Sequence, residues 1–236
     1  MTEAPSGTES ADPKKAPAFE LSSGALCLDF ANTIDDRPTR PIELLNGYDA
    51  LTVWAEQAAV LPSAVEEALR AEAARRPAAA EAALVGARAL REAIYAVFSA
   101  AAGGRPAPAA SLAMLNAALP PSLARRRLVP DAPQADGRPG RIIWRWDFSD
   151  HALDGLLAPV VKSAADLLTS ADLPRVRECE VATCGWLFVD RSRNRSRRWC
   201  DMAVCGNRAK ARRYQARTRA VVFPMPETGG DPSTGG

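Results

Sequence analysis

Histidine is almost absent, cysteine is rare and no long apolar run occurs in this 236-residue sequence. His151 is the single imidazole, which disfavours histidine-based metal cages and Ser/His or Cys/His catalytic arrangements, since each needs at least one placed ring. No stretch approaches the ~18–20 apolar residues that cross a bilayer. The opening Met1-Thr-Glu-Ala-Pro-Ser-Gly7 lacks a basic-then-apolar leader pattern. A cytoplasmic location without a membrane partner is therefore expected. Aromatic residues make up only 6% although 47% of the chain is apolar, Ala supplying much of that fraction. A globular, helical and thinly packed core follows. There is no Gly-rich phosphate loop, recognisable carboxylate pair or nucleophile motif, so a non-enzymatic protein is expected. The length suits one large domain or a medium domain with a small module.

The net charge of +2 conceals a strong asymmetry. Arg175 to Arg219 holds 13 basic and 4 acidic residues, net +9, while the remainder holds 17 and 24, net −7. A concentrated basic stretch beside an acidic body is the footprint of a polyanion-binding segment. A solvated basic tail is the plainer alternative, but this stretch also carries four cysteines and two tryptophans.

Residues 1–17 and 221–236 read as a disordered arm and tail, rich in Pro, Ser, Gly and Thr. Residues 18–173 read as a helical domain. Leu26 to Thr33 forms a short apolar turn or helix, and Tyr48 to Ala59 has helical spacing of Leu51, Trp54, Ala55 and Ala58. Ser63-Ala-Val-Glu66 has the capping-box pattern, so a helix should follow. Pro77 to Ala102 predicts a long helix that stops at Gly103-Gly104. Arg125–Val129 and Arg141–Phe148 predict a β-hairpin, and Ser149-Asp150 predicts the cap of a helix running to about Ser170. Pro174 marks the boundary of a module over residues 174–220.

In that module Cys179, Cys184, Cys200 and Cys205 are spaced C-x4-C, x15, C-x4-C. Matched cysteine pairs in a reducing compartment point to a metal, with two disulfides or four free thiols as the alternatives. Zinc is the natural ion. Four thiolates close a tetrahedral shell and leave no open position for a reacting water, so one structural Zn2+ is expected. Gly185 and Gly206, each following a cysteine, would let the backbone turn around the metal. Trp186-Leu-Phe-Val189 reads as a strand beside the site, around which Trp186, Phe188, Trp199 and Tyr214 are expected to pack, with stacking on unpaired bases as the alternative. A segment of this size cannot build a sufficient core of its own, and metal binding would supply the missing stability.

Cys205-Gly-Asn-Arg208, with Cys184-Gly-Trp-Leu-Phe-Val-Asp190, Arg198-Trp-Cys200 and Asn207-Arg-Ala-Lys-Ala-Arg-Arg213, resembles the CGNR zinc finger. Leu26-Cys-Leu-Asp-Phe-Ala-Asn-Thr33 and the helical body resemble the ABATE domain that precedes this finger. The resemblance implies a bacterial, cytoplasmic, stress-linked transcriptional regulator. The expected fold is mainly α with a small β-hairpin: an α-helical N-terminal domain, then a small four-cysteine, zinc-ribbon-like finger ending in a basic helix.

The expected function is nucleic-acid binding, DNA favoured over RNA, in transcriptional regulation. A helix from about Met202 to Ala220 would place Met202, Cys205, Ala209, Ala216 and Ala220 on one narrow stripe, flanked by Arg208, Lys210, Arg212, Arg217 and Arg219, with Arg213 near it. Such a helix fits a DNA major groove. The loop Arg191, Arg193, Arg195, Arg197 and Arg198 suits phosphate contacts, and Asn207 completes the candidate set. The competing readings are a zinc brace in a protein-interaction or small-molecule-sensing module, and an RNA-binding protein. For the body, the polar run Asp29, Asn32, Thr33 and Asp35-Asp36-Arg37 suits local capping more than an effector pocket. Cys27 is expected to be a small buried apolar residue. A small-molecule effector and a homodimer are further partners compatible with the sequence.

Overall fold

The computed structural model describes residues 19–133, 138 and 140–211; the expected arm, the expected tail and the residues after 211 lie outside that range. The chain enters the fold through α1 (Leu26–Ala31), whose Cys27, Leu28, Phe30 and Ala31 are all fully buried. Burial pushes the Cys27 thiol up to about 12, so it packs as a small inert apolar group. A two-residue strand pair follows, β1 (Ile34–Asp35) antiparallel to β2 (Ile42–Glu43). Helices α2 (Tyr48–Gln57) and α3 (Ser63–Arg75) then lead to α4 (Pro77–Ala102).

Helix α4 has the predicted limits because its ends are strongly marked. Pro77 sits in the first turn, where its missing N–H costs nothing, and Gly104 takes φ +64° just beyond the end. Leu84, Ala87, Leu90, Ile94 and Phe98 form its buried stripe. Arg91 interrupts that stripe at 2% exposure and is bidentate to Glu43 at 2.6 and 2.7 Å, while Arg88 donates to the Leu45 carbonyl at 3.0 Å. Burial alone would raise the Glu43 carboxyl; Arg91 outweighs it and holds the group below its ordinary range. These contacts fasten the β1–β2 segment to α4.

Several expected local signals work differently. The capping box is not made: Pro62 precedes α3, no side chain caps it, and Glu66 pairs with Arg70. A helix absent from the sequence reading, α5 (Ala109–Leu123), packs against α4. The hairpin forms as β3 (Arg126–Pro130) and β4 (Ile142–Trp146), with Leu128 opposite Trp144. Ser149-Asp150 does not start the next helix. Asp150 instead pairs bidentately with Arg125 at 2.8 Å for both bonds and accepts from the Ala152 amide. His151 is exposed with φ +49°, and α6 (Ala158–Leu168) begins only after a 3-10 turn at Gly155–Leu157.

The Arg125 hydrogen bonds draw the Asp150 carboxyl down to about 2. A depressed acid stabilises the fold above its unfolded value and loses that contribution as pH falls. Asp150→Asn should therefore flatten the stability profile between about pH 4 and 2, measured by urea melts across that range. An unchanged acid limb contradicts this role.

The main core runs through α1, α2, α4 and α6 and continues into the C-terminal segment. There β5 (Val176–Glu178) pairs antiparallel with β6 (Leu187–Val189), and Val176, Leu187 and Val189 belong to the same core as the helices. Among the described residues no helix is long and apolar enough to cross a membrane.

Candidate metal centre and basic surface

The β5–β6 pair carries the first cysteine turn between its strands. Gly185 adopts φ +71° there, and a Cβ on it would lie 3.1 Å from Pro38, so both the turn and the close approach require glycine. Gly206 needs no such conformation; a Cβ there would make only ordinary contacts with Met202 and Trp199. Cys200 and Cys205 come together through a π-helical turn, Met202–Gly206, capped by Asp201 accepting from the Val204 amide at 2.6 Å.

All four sulfurs lie within 4.8 Å of one another and all four cysteines are buried. The Cys184–Cys200 and Cys200–Cys205 Sγ separations are 3.6 Å. A tetrahedron with Zn–S bonds of ~2.3 Å has edges of ~3.8 Å, whereas a disulfide needs ~2.05 Å. The cysteines are free of disulfides, and their spacing fits a metal shell. Four thiolates packed this closely repel one another, so full ionisation of the set requires a cation among the sulfurs. Cys179, Cys184, Cys200 and Cys205 are the ligands of one structural zinc, around which Val181, Trp186 and Phe188 form a second small core.

That centre is tied to the body by specific bonds. Asn32 Nδ2 donates to the Leu187 carbonyl and Asn32 Oδ1 accepts from the Leu187 amide, both at 2.9 Å. Trp186 Nε1 donates to the Ile34 carbonyl at 3.0 Å, and the Val189 amide to the Ser23 carbonyl at 2.8 Å. Glu178 accepts from Tyr95 and Ser99 of α4. In the polar run from Asp29 to Arg37, Asp29, Thr33 and Asp35 make local bonds, as expected, whereas Arg37 reaches Glu92 of α4. Asn32 is different: its partner lies 155 residues away.

The candidate arginines divide into two groups. Arg197 turns inward, stacks 4.6 Å from the Phe188 ring centre and donates to the Trp199 and Cys200 carbonyls, bracing the metal centre. Arg198 pairs with Glu180, and Arg191 donates to the Gly24 carbonyl. In contrast, Arg193, Arg195, Arg208 and Lys210 are exposed and make no ion pair among the described residues. Asn207 Nδ2 donates to the Ala203 carbonyl. Arg212, Arg213, Arg217, Arg219 and Tyr214 lie outside the described residues.

Asp190, which the sequence reading did not single out, shapes the loop. It is fully buried and accepts from the Ser192 amide at 2.9 Å and the Arg197 amide at 3.0 Å. Residues 207–211 are α-helical, but the preceding π turn breaks the 100° register assumed for a helix from Met202. Met202 is 54% exposed, while Cys205 is buried and Ala209 packs on the cysteine core, so these three do not share one outward stripe.

A helical body with a four-thiolate centre defines a zinc-finger protein. Residues 24–171 match the ABATE family, described as "Putative stress-induced transcription regulator", and residues 175–218 match the CGNR zinc finger. The chain belongs to the ABATE family. Among curated proteins none matches it.

Proposed function

We propose that this is a DNA-binding transcriptional regulator in which the zinc centre and Asp190 hold the loop over residues 191–198 as a rigid surface for phosphates. The observation that carries the reading is Arg195. It holds φ +49°, a left-handed conformation that costs a non-glycine residue about 1–2 kcal/mol, yet its side chain is exposed and unpaired among the described residues. The turn, closed by the Arg195 amide on the Ser192 carbonyl at 3.2 Å, leaves the guanidinium in solvent and open to a phosphate. Arg193, Arg208 and Lys210 join it, together with Arg212, Arg213 and Arg217 as candidates. Trp186 and Phe188 are packed against the cysteines, which favours duplex DNA over base stacking on unpaired RNA at this surface. Four thiolates leave no open metal position, in keeping with a non-enzymatic protein, and cysteines free of disulfides suit a reducing cytoplasm. A groove of about 760 Å3 between α4 and α5, lined by Ala83, Gly86, Met114 and Leu157 with Arg125 and Asp154, is the proposed place for a small-molecule effector.

Duplex affinity measured against salt tests the reading. Four to seven phosphate contacts give a slope of log K on log salt between about −4 and −6. A slope near zero refutes it and leaves the finger as a brace or a protein-contacting module. Arg195→Gly separates contact from scaffold: stability should stay within about 1 kcal/mol of the parent, while duplex affinity falls about three- to tenfold. Undiminished affinity would remove Arg195 from the interface.

A further inference from the structure

The three most exposed large apolar side chains among the described residues are Ile142 at 65%, Leu128 at 61% and Trp144 at 57%. All three lie on one face of the β3–β4 ribbon, because paired residues share a face: Leu128 is opposite Trp144, and Ile142 is opposite Pro130. Trp146 and Phe148 pack on the helical core at the base of the ribbon, and the rest of the face is uncovered. Arg126 on the same face lies over both indoles, 5.0 Å from the Trp144 ring centre and 4.8 Å from that of Trp146.

The opposite face carries Arg127, Arg141 and Arg145 around the half-buried Val129–Ile143 pair. Arg127 stands directly across from Arg145, a like-charged pair that works against the ribbon's own stability. Asp147 lies 3.3 Å from Arg127, whereas Arg141 and Arg145 make no ion pair among the described residues. An exposed indole between aliphatic side chains, with arginines on both faces, has the chemistry of a base-stacking platform. Alternate side chains along a strand are about 7 Å apart, a spacing suited to an extended phosphate backbone.

We propose that the β3–β4 ribbon is a second nucleic-acid contact, on the helical body, that takes unpaired bases on Trp144 and their backbone on Arg126, Arg127, Arg141 and Arg145. Charge complementarity selects this occupant. A second copy docking on the apolar face would set Arg126 against its own counterpart and leave Arg127, Arg141 and Arg145 on the other face without a partner. A bilayer would have to accept the guanidinium of Arg126, which is held against the two indoles. The site does not depend on the finger's proposed duplex contact.

The test uses the full-length, zinc-loaded chain, a labelled oligo-dT and a duplex, read by fluorescence anisotropy. Trp144→Ala should weaken oligo-dT binding about 5- to 150-fold, Trp144→Phe should restore most of it, and duplex affinity should not change in either. Trp144 is more than half exposed, so its truncation leaves the core intact. Arg127→Ala with Arg145→Ala should flatten the oligo-dT salt slope by about 1.4. Parental oligo-dT affinity in Trp144→Ala overturns the proposal, and so does failure of the parent to bind oligo-dT. Loss of self-association, or of binding to phosphatidylserine vesicles, in Trp144→Ala with oligo-dT binding unchanged also overturns it and assigns the face to a second copy or to a membrane. Absence of duplex binding by the finger leaves it standing.

Discussion

Cys200→Ser is expected to take zinc content from one equivalent to none and to unravel the cysteine centre while α4 stays folded. Cys200 Sγ lies 3.6 Å from both Cys184 Sγ and Cys205 Sγ. Its loss leaves three thiolates and an open shell. Binding of a structural zinc contributes about 10–16 kcal/mol at neutral pH, and the second core, essentially Val181, Trp186 and Phe188 beside the cysteines, is too small to replace it. Damage should stop at the strands, because Val176, Leu187 and Val189 are anchored in the main core. Metal analysis with hydrogen exchange checks both halves: residues 179–184 and 200–206 should lose protection, and 84–98 should keep it. Full zinc content in the variant would refute the four-thiolate centre, and simultaneous loss of protection in α4 would refute the separation.

Asn32→Ala is expected to cost about 2–5 kcal/mol and to loosen the finger from the body. Asn32 is 4% exposed and satisfies both the amide and the carbonyl of Leu187, itself fully buried. Truncation orphans two buried backbone groups, each worth about 1–3 kcal/mol when left unpaired. Asn32→Asp should also destabilise, since a carboxylate accepts from the Leu187 amide but repels its carbonyl. Urea unfolding measures the loss, which corresponds to a Tm lower by about 4–20 °C. Parental stability in Asn32→Ala would show that the two bonds are dispensable.

The sequence made the metal centre and the long helix plain because their signals are local and unambiguous. Four cysteines at matched spacing have few other uses, and Pro77 with Gly103-Gly104 marks both ends of α4. The hairpin was legible from its Arg and Trp alternation, shifted by one residue in β3. Helix α5 was not, because apolar residues lie all round it and Pro120 and Pro121 fall inside its last turns, so neither periodicity nor a stop signal marked it. Ser149-Asp150 misled for a different reason: the Asp150 side chain was committed to Arg125, more than twenty residues back. Long-range partners also explain the basic loop. Nothing local distinguishes Arg197, which braces the Cys200 carbonyl, from Arg193 and Arg195, which face outward. Asp190 stands out only as the end of the Cys184–Asp190 stretch, with no role marked for it, yet its buried carboxylate sets the loop's course.

The proposed function requires zinc to fix the arginine surface in a form that grips a duplex. Duplex affinity on a single preparation, measured zinc-loaded, after chelation, and after zinc is returned, tests this. At least about a tenfold loss on stripping, with recovery on reloading, is predicted. Equal affinity in the stripped protein would contradict it.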